Sequence, residues 1–310
     1  MEDFVIFSGT ANHKLATSVA EHLGARLGLC AVDRFPDGEL TVRLDEPVRR
    51  KEVFIVQPTS PPVNENLMEL LAFADACRRA AAAHVTAIIP YFGYARSDKR
   101  HGRREPIMAS LVADLLQAVR VDHIITLDLH APQIEGFFHV PVDSLTAVPT
   151  MCKALRGSFP DGAIVVSPDA GRVKTATEYA QRLGTSVAVL HKRRESGTET
   201  KVTHVVGDVR DRACLIVDDM ISTGGTIAES IEALIEAGAH PDIIVAATHG
   251  LLIDGARDKM NREAVREVYV TDTILVEEND WPQLKVVSIA PLIADAIGRF
   301  MADGSLSDLY

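Results

Sequence analysis

The stretch Cys214–Thr226, CLIVDDMISTGGT, ends an apolar run in two adjacent carboxylates, Asp218 and Asp219. It then turns through paired glycines into a helical pattern with Ile227, Ile231, Leu234 and Ile235 on its apolar side. Gly224 and Gly225 let the backbone approach a ligand closely and point N–H groups at it. The helix N-terminus adds partial positive charge, and the hydroxyls of Thr223 and Thr226 add donors. A phosphate suits that cradle, and the carboxylates are placed to accept hydrogen bonds from sugar hydroxyls. The plainer reading is an N-capped strand–helix turn, although an adjacent Asp pair at a strand end is awkward to fold without a use.

Other chemistry-bearing residues also follow strand patterns. His130 lies just after one buried strand and Asp169 just after another, although a lone His is more often a hydrogen-bonded structural residue. Pro36-Asp37-Gly38 is turn chemistry, able to present the residues that flank it. The basic run HKRR at His191–Arg194 meets a segment, Arg193–Thr203, that lacks apolar periodicity and is rich in Thr, Glu and Gly. That segment reads as a long mobile loop, and such loops are usually functional.

The elements that must position these residues alternate along the whole chain. Phe4–Phe7, Val53–Val56, Val85–Ile89 and Ile124–Leu127 are continuous apolar runs, as buried parallel strands should be. Leu15–Leu27, Leu67–Ala82 and Ile107–Val119 carry helical spacing between them. A second series follows, with strands at Ala163–Val166, Val187–Leu190, Cys214–Val217, Ile243–Ala246, Val268–Val270 and Val286–Ile289. Its helices are Arg172–Leu183, Thr226–Ala237 and the closing Pro291–Phe300. This alternation predicts an α/β protein of two doubly wound parallel-sheet domains. Pro and small polar residues near Pro141–Pro149 put the junction there, giving domains 1–145 and 146–310.

Composition sets bounds on the rest. Of 310 residues, 47% are hydrophobic and 24% charged, enough apolar material for two packed cores. A formal net charge of −11 argues against nucleic-acid and anionic-membrane partners, both of which want a basic surface. Cys30, Cys77, Cys152 and Cys214 are scattered without a CxxC pair, which fits a reducing compartment. The N-terminal MEDFVIFSGT reads as a first strand rather than a signal peptide, and no apolar run reaches membrane-spanning length, so a cytoplasmic location is expected.

Cys214–Thr226 resembles the phosphoribosyl-diphosphate motif of type I phosphoribosyltransferases, whose architecture is therefore expected in both domains. With six further motifs in order, the chain resembles the ribose-phosphate pyrophosphokinase family over nearly its whole length. These are RFPDGEL at Arg34–Leu40, NENLMELL at Asn64–Leu71, IIPYFGYARSDKR at Ile88–Arg100, DLHAPQIEGFF at Asp128–Phe138, SPDAGRVK at Ser167–Lys174 and HKRR at His191–Arg194. No P-loop GxxxxGK[ST] and no protein-kinase HRD/DFG set is present, so ATP must be held in another way.

The resemblance implies transfer of the pyrophosphoryl group of ATP to the 1-hydroxyl of ribose 5-phosphate, with AMP leaving, for nucleotide biosynthesis. It makes Lys192 and Arg194 the catalytic pair, where the residues alone read equally as a solvated basic patch. It assigns ATP binding to Phe35, Asp37, Gly38, Glu39, Arg96 and Ser97, with Phe35 stacking on adenine and the carboxylates accepting from its amine. Ribose 5-phosphate falls to Asp218, Asp219, Ser222, Thr223, Gly224, Gly225 and Thr226, and Mg²⁺ to His130 and Asp169. The first domain would thus carry the adenine-binding turn and part of the ATP and metal site. The second would carry the catalytic loop and phosphate cradle. Inorganic phosphate and ADP are implied as effectors, and a homo-oligomer, a hexamer built from dimers, is expected. Lys99, Arg100, Arg103 and Arg104 lie in the neighbourhood tied to phosphate regulation, but they read equally as a solvated cationic face.

Three positions depart from the family pattern. Ser97 stands for a usual Gln, Ser222 for a common Asp, and His139 for a usual Asp after Phe137-Phe138. They bear on kinetic detail and regulation more than on reaction type. One rival reading is a phosphoribosyltransferase, which would share Asp218–Thr226 but would not need the FPDGE turn, the DLH segment or a second α/β unit. The other is a non-catalytic regulatory paralogue, in which an altered catalytic loop is expected, whereas Lys192 and Arg194 are both present.

Overall fold

The computed structural model describes residues 4–100, 102–196, 199–253, 255–276 and 281–310, and the side chains of 192–203 lie outside the described set. The chain forms two compact units. The first is Met1–Thr146 with Thr273–Leu275 and Ser288–Tyr310, and the second is Ala147–Asp272 with Val276–Val287.

The first unit holds strands β1 (Phe4–Ser8), β2 (Cys30–Arg34), β3 (Leu40–Leu44), β4 (Glu52–Val56), β5 (His84–Ile89), β6 (His123–Leu127) and β7 (Val142–Leu145). The parallel sheet has the order β1-β4-β5-β6-β7, and β2 and β3 form a separate antiparallel hairpin. Successive residues of a strand face opposite ways, so a strand covered on both sides is apolar throughout. Val5, Phe7, Val53, Ile55, Val85 and Ala87 share a core with α2 (Val63–Arg79) and α3 (Met108–Ala118), which supply Leu70, Phe73, Val112 and Leu116. α1 (His13–His22) packs on β1 instead, started by Asn12, whose side chain accepts from the Leu15 N–H at 3.1 Å.

In the second unit the chain runs α4 (Val148–Leu155), β8 (Ile164–Ser167), α5 (Val173–Leu183), β9 (Val187–Ser196), β10 (Glu199–Val206), β11 (Cys214–Ile221) and α6 (Gly225–Glu236). It continues through β12 (Ile243–Gly250), α7 (Ala256–Met260), β13 (Val265–Thr271) and β14 (Leu284–Val287). The sheet order is β10-β9-β8-β11-β12-β13-β14, parallel except for β10. From β8 the chain moves outward to β9 and β10, then returns to β11 and grows the other way. The order therefore reverses between β8 and β11, and such a reversal opens a crevice at the carboxyl ends of the two strands.

Two expectations need correction. Arg193–Thr203 does not form a structureless loop: the described backbone is an antiparallel ribbon, with Lys192 opposite Val202 and Arg194 opposite Thr200. Backbone pairing at a sheet edge needs no apolar alternation, so the composition gave no warning of it. The closing helix, α8 (Ala290–Met301), belongs to the first unit and not to a continuous 146–310 domain. Its Phe300 packs edge-on against Phe54 of β4, with ring centroids 5.9 Å apart, and stacks on His123 of β6 at 5.1 Å. Among the described residues, no helix is long and apolar enough to cross a membrane.

Candidate active site

β11 pairs with β8 only as far as Ile216 opposite Val166, and β8 ends at Ser167. β11 runs on to Ile221, still paired with β12, so Asp218 and Asp219 border the crevice at the reversal. The two carboxylates are drawn together. The Asp219 N–H donates to Asp218 Oδ1 at 2.8 Å. Arg172 reaches both, with Nε 3.3 Å from Asp218 Oδ1 and Nη2 3.0 Å from Asp219 Oδ1. Burial pushes the Asp218 carboxyl well above the usual carboxylate range, and the Asp219 charge adds to this while Arg172 opposes it.

The turn after β11 is built for a close backbone approach. Gly224 has φ +71° and caps α6, and its C=O accepts the first intrahelical bond, from Ala228 at 2.9 Å. The N–H groups of Gly225, Thr226 and Ile227 precede that bond, and such donors are what a bound phosphate takes. Ser222 is held through its C=O by the Ile253 N–H at 3.1 Å, and Thr223 through its C=O by Lys259 Nζ at 2.7 Å. Thr223 and Thr226 are exposed and Ser222 is half-buried. Lys259, from α7, thus brings a cation to the cradle from well downstream in the chain.

Asp169 lies two residues past the end of β8, after Pro168. Its Oδ1 accepts from the Gly171 N–H at 2.8 Å, starting the short 3₁₀ turn Ala170–Arg172. Asp169, Asp218, Asp219 and Ser222–Thr226 therefore gather at the carboxyl ends of two neighbouring strands. Lys192 and Arg194 lie on β9, whose backbone pairs with β8 through Ser167 opposite Val189, but their side chains are outside the described residues.

In the first unit the FPDGE segment is the tip of the β2–β3 hairpin. The Gly38 N–H donates to the Phe35 C=O at 2.9 Å and the Phe35 N–H to the Glu39 C=O at 2.7 Å. Asp37 Oδ1 accepts from the Glu39 N–H at 3.1 Å, which fixes the turn and leaves Phe35 53% exposed. An Arg34–Glu65 ion pair of 3.0 Å ties the hairpin to α2.

Arg96 is exposed in the loop after β5, and Ser97 supports the next helix. Ser97 Oγ accepts from the Met108 N–H at 3.3 Å and its C=O from the Ala109 N–H at 3.1 Å. Gly93 makes this loop possible, since a Cβ there would lie 2.4 Å from the Thr59 carbonyl oxygen. His130 is half-buried after β6, in a segment joined to the Arg96–Ser97 loop by a Gln133–Asp98 hydrogen bond. His139 is exposed, and its backbone N–H donates to Gln117 Oε1 at 2.6 Å, so the loop holds it through the backbone. Lys99, Arg100, Arg103 and Arg104 are all exposed.

Sequence reasoning missed several contributors. Arg172 stands inside the quoted SPDAGRVK motif, three residues after Asp169, yet only the meeting of β8 with β11 reveals its partners. Glu69, fully buried in the NENLMELL helix, accepts from the Thr10 N–H and Oγ, each at 2.6 Å, and from Gln57 Nε2 at 3.2 Å. It thereby joins the loops after β1 and β4. A buried carboxylate within an amphipathic helix was the available signal.

A parallel sheet with a strand-order reversal beside a glycine-turned helix N-terminus and two carboxylates defines a doubly wound α/β protein whose crevice suits an anionic ligand. The comparisons narrow this class. The N-terminal domain of ribose phosphate pyrophosphokinase matches residues 4–119, and the phosphoribosyl synthetase-associated domain matches residues 195–310. A ribose-phosphate pyrophosphokinase of Thermotoga maritima is 46% identical over 98% of this chain and 97% of its own. One from Campylobacter jejuni is 43% identical over the full length of both. The crystal structure of phosphoribosylpyrophosphate synthetase from Mycobacterium smegmatis superposes with a TM-score of 0.91 at 43% identity, covering 97% of this chain and 99% of that one. The chain belongs to the ribose-phosphate pyrophosphokinase family, and it is an enzyme of the transferase class.

Proposed function

We propose that this enzyme transfers the pyrophosphoryl group of Mg²⁺-ATP to the 1-hydroxyl of ribose 5-phosphate, forming 5-phosphoribosyl 1-pyrophosphate and AMP. The observation that carries this reading is the joining of Asp218 and Asp219 to the Ser222–Thr226 cradle at the strand-order reversal. The cradle's N–H groups take the 5-phosphate, and the carboxylates accept from the ring hydroxyls. Phe35 offers an exposed face to adenine on a turn held by Asp37 and Gly38, with Glu39 beside it, while Arg96 and Ser97 serve the nucleotide. Lys192 and Arg194 offset charge on the transferring group, since this chemistry needs positioning and electrostatics more than covalent help.

His130 and Asp169 would hold the Mg²⁺. Each is a single ligand, the Asp169 carboxylate with its Oδ1 engaged by Gly171, and so each suits an ion that keeps most of its waters and travels with a triphosphate. No group of three or more His, Cys, Asp or Glu that could cage a metal occurs among the described residues. The ion would supply charge neutralisation at the phosphates. A homo-oligomer responsive to inorganic phosphate and ADP, working in the cytoplasm, completes the reading.

The phosphoribosyltransferase alternative does not explain a family match that runs through both units. The test is purified protein with ATP, ribose 5-phosphate and Mg²⁺, followed for AMP release. Stoichiometric AMP and phosphoribosyl pyrophosphate are expected. No AMP, or turnover only with phosphoribosyl pyrophosphate and a nucleobase, would reject the assignment.

A further inference from the structure

Adjacent residues of a strand point to opposite faces, so two neighbouring carboxylates do not ordinarily meet one ligand. In β11 they do meet one group, the Arg172 guanidinium, at 3.3 Å for Asp218 Oδ1 and 3.0 Å for Asp219 Oδ1. Arg172 is well placed for this. It closes the 3₁₀ turn begun by Asp169, it is half-buried, and its side chain keeps only 16% of its exposure. A guanidinium presents its donors as a planar fork, so it fixes the orientation of the carboxylates as well as balancing their charge. Each carboxylate gives Oδ1 to the arginine, which directs the pair as a unit toward the crevice.

We propose that Arg172 is a positioning residue for the pentose. It holds Asp218 and Asp219 side by side as a paired acceptor for two adjacent ring hydroxyls, and so sets the preference for ribose over 2-deoxyribose. This rests on the sugar-binding role of the two carboxylates proposed above. The discrimination follows because a site built to bond a hydroxyl rejects the analogue that lacks it, leaving a desolvated acceptor without its partner. Without the guanidinium the pair keeps only the Asp219 N–H bond to Asp218 Oδ1 and loses the fork that orients both carboxyls toward the crevice, so the site no longer counts both hydroxyls.

The test is Arg172→Gln and Arg172→Lys, with binding of ribose 5-phosphate, 2-deoxyribose 5-phosphate and ATP measured by calorimetry beside steady-state rates. For Arg172→Gln the ribose 5-phosphate Kd should rise roughly 10- to 100-fold, the scale of one charge-assisted hydrogen bond. The preference for ribose over 2-deoxyribose should fall by a similar factor, with the ATP Kd within about threefold and the KM for ribose 5-phosphate rising by more than kcat falls. Arg172→Lys keeps the charge without the fork and should fall between the two. If Arg172→Gln does not fold, the same two ratios for Arg172→Lys decide the matter. Unchanged ribose preference, or tighter ribose 5-phosphate binding, in the folded variant overturns the proposal. If Asp219→Asn also leaves ribose 5-phosphate binding untouched, the sugar site itself has been misassigned, a different failure from that of Arg172 alone.

Discussion

Gly224 and Gly225 are neighbours in one phosphate cradle, yet their replacement by alanine should have opposite effects on the fold. Gly224 sits at φ +71°, where an L-residue is disfavoured by roughly 1–2 kcal/mol. A Cβ there would also lie 3.3 Å from the Ala256 Cα and 3.4 Å from its carbonyl oxygen, backbone atoms of α7 that cannot swing aside. Loss of unfolded-chain freedom returns about 0.4–1 kcal/mol, so the backbone terms leave up to about 1.6 kcal/mol of destabilisation in Gly224→Ala, to which the Ala256 contact adds. At about 2–4 °C per kcal/mol, the melting temperature should drop by about 3–6 °C. Gly225 has no positive φ, and the nearest atom to an added Cβ is Thr223 Oγ1 at 3.8 Å. Gly225→Ala should therefore leave stability unchanged or raise it, by at most about 1 kcal/mol, since alanine suits the first turn of α6 better. Any shift of the Gly224 turn also moves the N–H donors, so a tenfold weaker ribose 5-phosphate Kd is expected in Gly224→Ala. At a fixed saturating concentration that removes about 1.4 kcal/mol of ligand-induced stabilisation. Thermal melts of wild type and both variants, with and without ribose 5-phosphate, read all of these terms. Equal melting shifts for the two variants, or a Gly224→Ala protein as stable as wild type, would refute the reasoning.

Lys192→Ala and Arg194→Ala should each lower kcat by about 10²–10³, equivalent to roughly 3–4 kcal/mol of barrier, with nucleotide affinity kept within a few-fold. Steady-state kinetics showing a raised KM at unchanged kcat would remove both from the catalytic role. Ser97→Ala deletes the oxygen that accepts from the first N–H of α3 and should lower the urea-unfolding free energy by about 1 kcal/mol. Ser97→Gln should lose the same bond, so a variant more stable than wild type would contradict the supporting role. Burial tends to raise the Asp143 carboxyl, but hydrogen bonds from His123 and Tyr310 outweigh it and hold the group below its ordinary value. Its stabilisation is therefore present above the unfolded value of about 3.9 and is lost as pH falls through the lower folded one. Asp143→Asn should be less stable than wild type at pH 7, and the gap in urea midpoint should close below about pH 4. A gap independent of pH would exclude the ionised hydrogen-bonded carboxylate.

What the sequence determined about this protein is whatever contiguous residues carry within themselves. The CLIVDDMISTGGT segment holds its strand, its turn and its helix start in one stretch, so the cradle was legible without knowing its neighbours. The Pro36-Asp37-Gly38 turn was legible in the same way, as were the strands whose unbroken apolar runs require cover on both faces. Tertiary structure decided what depends on which elements lie side by side. Arg193–Thr203 has no apolar pattern, and its pairing as β9 and β10 is a matter of backbone hydrogen bonds at a sheet edge. The amphipathic pattern of α8 shows that it covers a sheet but not which one, and Phe300 against Phe54 assigns it to the first unit. Ser97, read from the sequence as an ATP-site residue and a departure from the family pattern, also anchors the start of α3. Arg172 and the Asp218–Asp219 pair are distant along the chain and meet because β8 and β11 are neighbours at the point where strand order reverses. Local chemistry is written in residue type and spacing, whereas strand order follows from how the whole sheet packs, so no short segment encodes it.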